Sequence, residues 1–180
     1  MARDDELTRE QKQAILKERA EVLAQTPIVA SKRENQVDVL EFIIAGEKFA
    51  VEAKYVREAN KLSGVTALPC TPPFVLGLIN FRGQIIALLD LREFLELDRQ
   101  NSKQLDLQVI VLQNENIQSG FAVDEIIGIS SIPEPDLQSP TQLVSAAVAP
   151  LLKGVRLDQL SLIDVEKLFA DPRLVVEARP

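Results

Sequence analysis

The sequence predicts a mostly β protein made of two small barrels of about five strands each, with short helices and an N-terminal helical arm. Short apolar segments separated by turn residues recur along the chain, and few stretches have the period of a helix. Two tetrapeptides also recur: Phe49-Ala-Val-Glu52 as Phe121-Ala-Val-Asp124 after 72 positions, and Leu88-Leu-Asp-Leu91 as Leu162-Ile-Asp-Val165 after 74. Two repeats in the same order at nearly the same offset indicate an internal duplication, and units of roughly 65 residues favour barrels over a sandwich.

Residues 1–36 are predicted to form an arm that precedes a domain at 37–175. The arm contains seven acidic and seven basic residues, so its net charge is zero. Thr8-Arg-Glu-Gln11 matches a capping box for an amphipathic helix, which Thr26-Pro27 would end. The apolar stripe of that helix comprises Ile15, Leu16, Ala20 and Leu23. The stripe either docks on its own domain or is offered to a partner's groove, and the polar stretch 31–36 is interpreted as a linker.

The first unit begins with a predicted hairpin, whose strands at 39–45 and 48–52 turn at Gly46. Residues 63–74 contain three prolines and are predicted to form an extended connection, in which the single cysteine, Cys70, is expected to be a packed thiol. Between hairpin and connection we predict a short helix that carries Tyr55, Val56, Glu58 and Ala59.

A second hairpin is predicted where Arg82-Gly83 stands between two apolar strands. Gly83 supplies the backbone freedom of a tight turn, and 85–89 is interpreted as a strand buried on both faces. Asn80 and Arg82 point the same way if the strand alternates, and Asp90 stands where the N-cap of a helix over 91–97 belongs. Arg82 is either a solvated turn residue or a recognition residue at the hairpin tip.

A polar link at 98–104 is predicted to separate the first unit from the second, which repeats the same plan, and residues 176–180 form a tail. The 180 residues are 46% apolar, enough to bury a core without disulfides or metal. A net charge of −7, with scattered basic residues and only eight aromatic ones, argues against a nucleic-acid-binding barrel pair. The N-terminus has no apolar signal core, and the longest uncharged run, 62–81, contains three prolines, so no membrane insertion is expected.

The chain contains no histidine, which excludes a phospho-accepting imidazole, a Cys-His pair, a Ser-His-Asp triad and His-bearing metal sites. The carboxylates at Asp124 and Glu125, or at Asp164 and Glu166, are interpreted as helix caps or solvated groups. An enzyme that uses Cys70 or a carboxylate is a disfavoured alternative, because no base accompanies the thiol in sequence. We therefore expect no catalytic residue, no cofactor and no metal.

Four segments carry motifs that occur in a known order: Tyr55-Val-Arg-Glu58, Val75-Leu-Gly-Leu-Ile-Asn-Phe-Arg-Gly-Gln-Ile85, Leu89-Asp-Leu-Arg92 and Phe121-Ala-Val-Asp-Glu-Ile126. Together they resemble the CheW family, the adaptors of bacterial chemotaxis arrays, over about residues 39–169. One departure is Ala87, where many members have proline in the strand after the Arg-Gly turn. Proline there suits an edge or a bulge, so the local pairing of this strand can differ.

The resemblance implies two five-stranded SH3-like barrels side by side and a non-catalytic signalling adaptor in the cytoplasm, at membrane-associated receptor arrays. Its implied partners are the cytoplasmic tip of a methyl-accepting chemoreceptor and the regulatory domain of a CheA-type histidine kinase. The alternative is a CheW-like scaffold of a non-flagellar pathway, with a pilus or another output, that completes arrays without activating the kinase.

The resemblance also implies a protein-binding surface, whose positions fall on Val56, Glu58, Gly77, Arg82, Gly120 and Ile129. Glu58 and Arg82 match a charge pair of that surface. Each position has a structural alternative: the two glycines can simply permit tight backbone turns, Val56 can fill the inward face of its helix, and Ile129 is of a kind more often buried.

Overall fold

The computed structural model describes residues 36–97, 107–140 and 148–174, and within them ten strands and two short α-helices. The strands are β1 (Gln36–Ile44), β2 (Glu47–Glu52), β3 (Val56–Lys61), β4 (Val75–Phe81), β5 (Gln84–Asp90), β6 (Gln108–Gln113), β7 (Gln118–Val123), β8 (Glu125–Pro133), β9 (Leu152–Val155) and β10 (Ser161–Ile163). The helices are α1 (Leu91–Phe94) and α2 (Val165–Phe169), and 3₁₀ turns occupy Ala53–Tyr55, Glu134–Asp136, Ala149–Leu151 and Pro172–Leu174.

The strands form two five-stranded mixed sheets, and each sheet takes strands from both halves of the chain. Sheet I has the order β8-β1-β2-β10-β9, and sheet II has the order β3-β6-β7-β5-β4. When β6 to β10 are matched with β1 to β5, the two orders are identical, which supports the internal duplication. The halves are therefore exchanged between the sheets, whereas the sequence predicted one barrel for each half.

The exchange is made by two parallel strand pairs, and both involve the repeated tetrapeptides. Strand β2 runs parallel to β10, with Phe49 opposite Ser161, and β5 runs parallel to β7, with Leu88 opposite Gly120. The first repeat of one half thus lies beside the second repeat of the other half. Parallel neighbours cannot be joined by a tight hairpin, so strands from distant parts of the chain supply them.

Each sheet is open in its hydrogen-bonding order, so within the described residues the predicted closed barrels are not formed. The outer strands are β3 and β4 in sheet II and β8 and β9 in sheet I. In the described parts of the chain, one isolated antiparallel bridge spans each opening, Thr66 with Leu78 in sheet II and Gln138 with Val155 in sheet I. The segments that make these bridges are too short and irregular to extend a ladder.

The largest apolar core lies between the two sheets and also contains both helices. Its aromatic members come from β1, β2, β7, α1 and α2, and they are Phe42, Phe49, Phe121, Phe94 and Phe169. Each sheet also has a small apolar cluster of its own, around Leu88 in sheet II and around Leu162 in sheet I. Burial of this much apolar surface is the main favourable term in folding.

The turn and cap predictions are confirmed where local chemistry decides the structure. The first hairpin turns at Ala45 and Gly46, and Asp90 caps α1 by accepting hydrogen bonds from the backbone N–H groups of Arg92 at 2.9 Å and Glu93 at 3.4 Å. The repeated Asp164 caps α2 in the same way, through the N–H of Lys167 at 3.2 Å. Both repeats therefore end a strand and begin a helix.

Several local predictions are wrong. The short helix predicted around Val56 and Glu58 is not formed: a 3₁₀ turn ends at Tyr55, and both residues lie on strand β3. Helix α1 ends at Phe94 rather than at residue 97. Ile85 is 64% exposed, so β5 is not buried on both faces, and Cys70 is exposed rather than packed. Three predicted segments lie outside the described residues: the arm at 1–36, except for its last residue Gln36, the link at 98–104 and the tail at 176–180.

Candidate protein-binding site

The tip of the β4–β5 hairpin is a two-residue turn that places Arg82 at its first position. Phe81 pairs with Gln84, and Arg82 and Gly83 have φ angles of +51° and +84°, the combination of a type I′ turn. The Asn80 side-chain oxygen accepts a hydrogen bond from the Gly83 N–H at 2.9 Å. Glycine adopts such angles freely, whereas a residue with a Cβ does so at a cost of about 1 kcal/mol, so Arg82 stands where local stability alone would favour glycine or asparagine.

Arg82 forms an ion pair with Glu58 across the opening of sheet II. Its Nε and Nη2 atoms lie 3.0 and 2.9 Å from the same carboxylate oxygen, Oε2 of Glu58. The Nδ2 atom of Asn60 donates a hydrogen bond to the other oxygen, Oε1. The Arg82 side chain is 72% exposed and that of Glu58 is 30% exposed, so the pair contributes only about 0 to 1 kcal/mol to stability.

A small cleft of about 120 Å³ lies beside this pair, between the outer strands β3 and β4. Its floor is apolar and is formed by Ile79, Val109 and Val111, which are all buried. Its rim is polar and includes Glu58 and Asn60. The guanidinium carbon of Arg82 lies 5.3 Å from the centre of the Phe81 ring, so a cation and an aromatic face are presented together next to the cleft.

The two glycines predicted for the binding surface are buried and have structural roles. Gly77 has a φ angle of +145°, and a Cβ there would lie 2.2 Å from the carbonyl oxygen of Thr66. A Cβ on Gly120 would lie 3.0 Å from Cδ1 of Ile79 and 3.2 Å from Cγ2 of Val109. Gly77 therefore permits the bridge to Thr66, and Gly120 leaves room for the core of sheet II.

The remaining two predicted positions differ in exposure. Val56 is half-buried and packs against the main core. Ile129, for which burial was the structural alternative, is 74% exposed on β8, the outer strand of sheet I, and Ile127 on the same strand face is 48% exposed. The structure thus brings Glu58 and Arg82 into contact on sheet II and leaves Ile129 as an exposed apolar residue on sheet I.

Sequence reasoning missed three residues that shape the site or its frame. Asn60 and Glu58 are two positions apart on a strand and therefore share a face, a signal hidden by the predicted helix. Phe81 was interpreted only as part of an apolar strand. Gly154 is the counterpart of Gly77 in sheet I, since a Cβ there would lie 2.8 Å from Cβ of Leu137, next to the Gln138 bridge.

A second surface is apolar and lies near the end of the β4–β5 hairpin opposite its tip, where Val75 pairs with Leu89. This apolar cleft has a volume of about 240 Å³, and its walls include Leu68, Phe74, Ala87, Ile117, Phe169 and Leu174. Leu68 and Ile117 are 38% and 40% exposed at its mouth. Ala87, the position where the resemblance would often place proline, lies in β5 opposite Leu78 and faces this cleft. An apolar cleft with an exposed rim is a surface that suits another protein.

The buried charged groups of the described residues hold the fold together. Asp124 accepts a hydrogen bond from the Ala45 N–H at 2.7 Å and forms an ion pair with Arg92. Glu52, its counterpart in the tetrapeptide repeat, binds Lys153 at 2.8 Å and Lys54 at 2.6 Å. Burial raises the pKa of the Glu52 carboxyl, but the two lysines outweigh burial and hold that pKa below its usual value.

Within the described ranges, no group of three or more Cys, Asp or Glu side chains has the arrangement of a metal site. Nor is any helix in those ranges long and apolar enough to span a bilayer.

Comparison with known proteins identifies the family. The family model described as the CheW-like domain matches residues 38–173 of the sequence. The chain is 26% identical to the chemotaxis protein CheW of Treponema pallidum, over 78% of this chain and 86% of that protein, and 32% identical to the chemotaxis protein CheW of Helicobacter pylori, over 64% and 71%. The crystal structure of the scaffolding protein TtCheW from Thermoanaerobacter tengcongensis is similar, with a TM-score of 0.63 and 25% identity over 71% of this chain and 88% of that one. The chain therefore belongs to the CheW family.

Proposed function

We propose that this protein is a non-catalytic adaptor that couples chemoreceptors to a CheA-type histidine kinase in chemotaxis signalling. The family assignment supports this role, and relatives are named chemotaxis proteins and, in one case, a scaffolding protein. The residue-level observation that carries the proposal is the exposed Glu58–Arg82 pair at the opening of sheet II. It adds little to stability, and Arg82 adopts an unfavourable backbone angle, so its value lies in binding.

The pair and the small cleft beside it form the surface that we assign to the receptor tip. Arg82 offers a planar fork of donors, and Glu58 holds that fork in one orientation before the partner arrives. We include Val56, which follows the 3₁₀ turn at the start of β3, and Ile129, an exposed apolar residue, in the same receptor surface. Gly77 and Gly120 contribute to it through the shape of sheet II.

The apolar cleft is the surface that we assign to the kinase regulatory domain. The family resemblance implies that this domain has the same fold as the present chain, so two similar apolar faces can meet. Binding that depends on apolar contact should survive a rise in ionic strength, whereas binding held by surface charge is screened over a Debye length of about 10 Å at 0.1 M salt. This role places the protein in the cytoplasm, beside membrane-bound receptors.

The receptor surface is tested by replacing Arg82 with alanine. Stability, receptor-tip binding and assembly of the three-part complex of this protein, receptor tip and kinase are measured on the same samples. We expect a melting temperature close to that of the parent protein, because the side chain is 72% exposed, and receptor binding that is weaker by about tenfold. Arg82→Lys should restore binding only in part, since a point charge cannot reproduce two fixed donors. Glu58→Ala should behave like Arg82→Ala.

Arg57→Ala is the matched control, because Arg57 is also exposed, precedes Glu58 on β3 and binds Gln113 instead of a carboxylate. It removes the same charge from the opposite face of the strand. Equal losses of binding in both variants would show that only net charge matters, and unchanged assembly in Arg82→Ala would make Arg82 a solvated turn residue.

The kinase surface is tested independently with Ile117→Ser, which makes the mouth of the apolar cleft polar. We expect weaker binding of the kinase regulatory domain at both low and high salt, with receptor-tip binding retained. Leu157→Ser is the control, because Leu157 is 79% exposed outside the cleft. Equal effects of the two substitutions on kinase binding would contradict the assignment of this cleft.

A further inference from the structure

The Glu58–Arg82 pair is held from both sides by two asparagines that the family resemblance does not assign to the site. The two oxygens of the Glu58 carboxylate have different partners: Oε2 accepts from Arg82, and Oε1 accepts from Nδ2 of Asn60. A carboxylate in an ion pair can only accept hydrogen bonds, so the nitrogen end of the Asn60 amide must face it. Asn60 therefore fixes the rotation of the Glu58 carboxylate about its Cγ–Cδ bond. The contact of Arg82 with one oxygen alone leaves that rotation free.

Asn80 acts on the other member of the pair, through the backbone. Its side-chain oxygen accepts from the N–H of Gly83, the residue that follows Arg82 in the turn. Both turn residues have positive φ angles, and Arg82 carries the cost of that conformation. The Asn80 contact opposes relaxation of the turn, and so it fixes the direction in which the Arg82 side chain leaves the hairpin.

We propose that Asn60 and Asn80 are positioning residues of the receptor surface: Asn60 as a donor that orients Glu58, and Asn80 as an acceptor that holds the turn of Arg82. The proposal rests on the function proposed above, since it assumes that the pair binds a partner. Both asparagines are exposed, so neither is needed to fill the core. Their contribution is to hold the pair in its binding geometry before the partner arrives.

The two roles make opposite demands on the side chain, and aspartate distinguishes them. At position 60, aspartate removes the donor and places a second negative charge beside Glu58. At position 80, aspartate keeps an acceptor oxygen in the same place. We therefore expect Asn60→Asp to be more harmful than Asn60→Ala, and Asn80→Asp to be close to the parent protein while Asn80→Ala is not.

The experiment uses the full chain and measures its affinity for a soluble receptor-tip fragment. We expect Asn60→Ala and Asn80→Ala to weaken binding by about three- to tenfold, the range of a single ordinary hydrogen bond. Asn60→Asp should exceed tenfold, and Asn80→Asp should stay within about twofold. Asn116→Asp is the control, since it adds the same charge at the exposed β6–β7 turn. Similar effects of aspartate at positions 60 and 80, or parent-like binding in both alanine variants, would overturn the proposal.

Two further measurements separate this proposal from the proposed function. The amide exchange rate of Gly83 in the free protein should rise in Asn80→Ala and stay low in Asn80→Asp, and an unchanged rate in Asn80→Ala would refute the role of Asn80. In a Glu58→Ala background, Asn60→Ala should cause no additional loss of binding, and a full additional loss would refute the role of Asn60. If Glu58→Ala and Arg82→Ala themselves leave binding unchanged, the proposed receptor surface fails, and this proposal fails with it; if only the asparagine variants are silent, this proposal fails alone.

Discussion

Replacement of Gly77 by alanine should destabilise the protein strongly, although the family resemblance makes Gly77 a binding position. A Cβ on Gly77 would lie 2.2 Å from the Thr66 carbonyl oxygen, 2.8 Å from the Thr66 carbonyl carbon and 3.0 Å from Cα of Ala67. All three contacts are with backbone atoms, so no side chain can rotate away. The chain must instead move residue 66 away from β4.

The magnitude follows from what that movement breaks. Thr66 and Leu78 exchange two backbone hydrogen bonds, of 2.9 and 2.8 Å, and these form the bridge across the opening of sheet II. Losing both costs about 1 to 3 kcal/mol. The φ angle of +145° adds roughly 1 to 3 kcal/mol of strain for a residue with a Cβ. Together we expect a loss of about 2 to 6 kcal/mol in the free energy of unfolding, a large part of the stability of a small domain.

Two other glycines serve as graded controls in the same denaturant titration. Gly64 has a positive φ angle of +66° but no atom within 4 Å of the Cβ position, so Gly64→Ala should lose only about 1 kcal/mol from strain. At Gly154 the nearest atom is a side-chain carbon, Cβ of Leu137, at 2.8 Å, so Gly154→Ala should fall between the two. If Gly77→Ala is as stable as Gly64→Ala but has lost receptor binding, the structural role argued for Gly77 is refuted and Gly77 is a contact residue.

Two further predictions concern buried charges. Asp124→Ala should lower the free energy of unfolding by about 3 kcal/mol, because it leaves Arg92 and the Ala45 N–H without their partner. Asp136→Ala, at an exposed position, is the control in the same denaturant titration. Equal losses of stability in the two variants would contradict the prediction. Lys153 and Lys54 hold the folded-state pKa of Glu52 below 4.5 against the opposing effect of burial, so its contribution to stability is present above pH 4.5 and is lost as the pH falls through the folded-state pKa. Acid titrations of the parent protein and Glu52→Gln should therefore converge at low pH, and parallel curves would refute this linkage.

The elements that could be predicted from the sequence are those that short-range chemistry decides. Gly46 and the Arg82-Gly83 pair marked two hairpin turns, and Asp90 marked the start of α1, because turns and caps depend on residues within a few positions. The first part of strand β3, from Val56 to Ala59, was predicted to lie on a short helix, and the preceding Ala53 and Lys54 are good helix formers. Its pairing with β6, about 50 positions away, overrides that preference, and a non-local contact of this kind leaves no local signal.

The exchange of strands between the halves was beyond sequence reasoning for the same reason. The tetrapeptide repeats revealed the duplication, but not that β2 would pair with β10 and β5 with β7. Ile129 lies on β8, the outer strand of sheet I, at a position whose side chain is exposed, whereas Ile132 on the same strand is buried. The Glu58–Arg82 contact was predicted from the family resemblance, whereas Asn60 was missed when β3 was interpreted as a helix.

The duplication itself separates residues that serve the fold from residues that serve binding. Gly77 and Gly154 stand beside equivalent bridges in the two sheets, and Asp90 and Asp164 cap equivalent helices, so these features are required wherever the unit is built. The described residues of sheet I do not repeat the charge pair. An offset of 72 positions makes Ser130 the counterpart of Glu58, and Ser130 donates a hydrogen bond to Glu41 within sheet I.

The equivalent hairpin tip in sheet I, between β9 and β10, also differs. Its arginine, Arg156, pairs with Asp158 inside the same turn, and Leu157 projects between them with 79% exposure. An arginine paired within its own turn cannot hold a carboxylate on another strand. The bridge glycine and the helix cap occur in both sheets, whereas among the described residues the Glu58–Arg82 pair occurs in sheet II alone, which supports a role in recognition rather than in folding. A Ser130→Glu variant should therefore leave receptor binding unchanged.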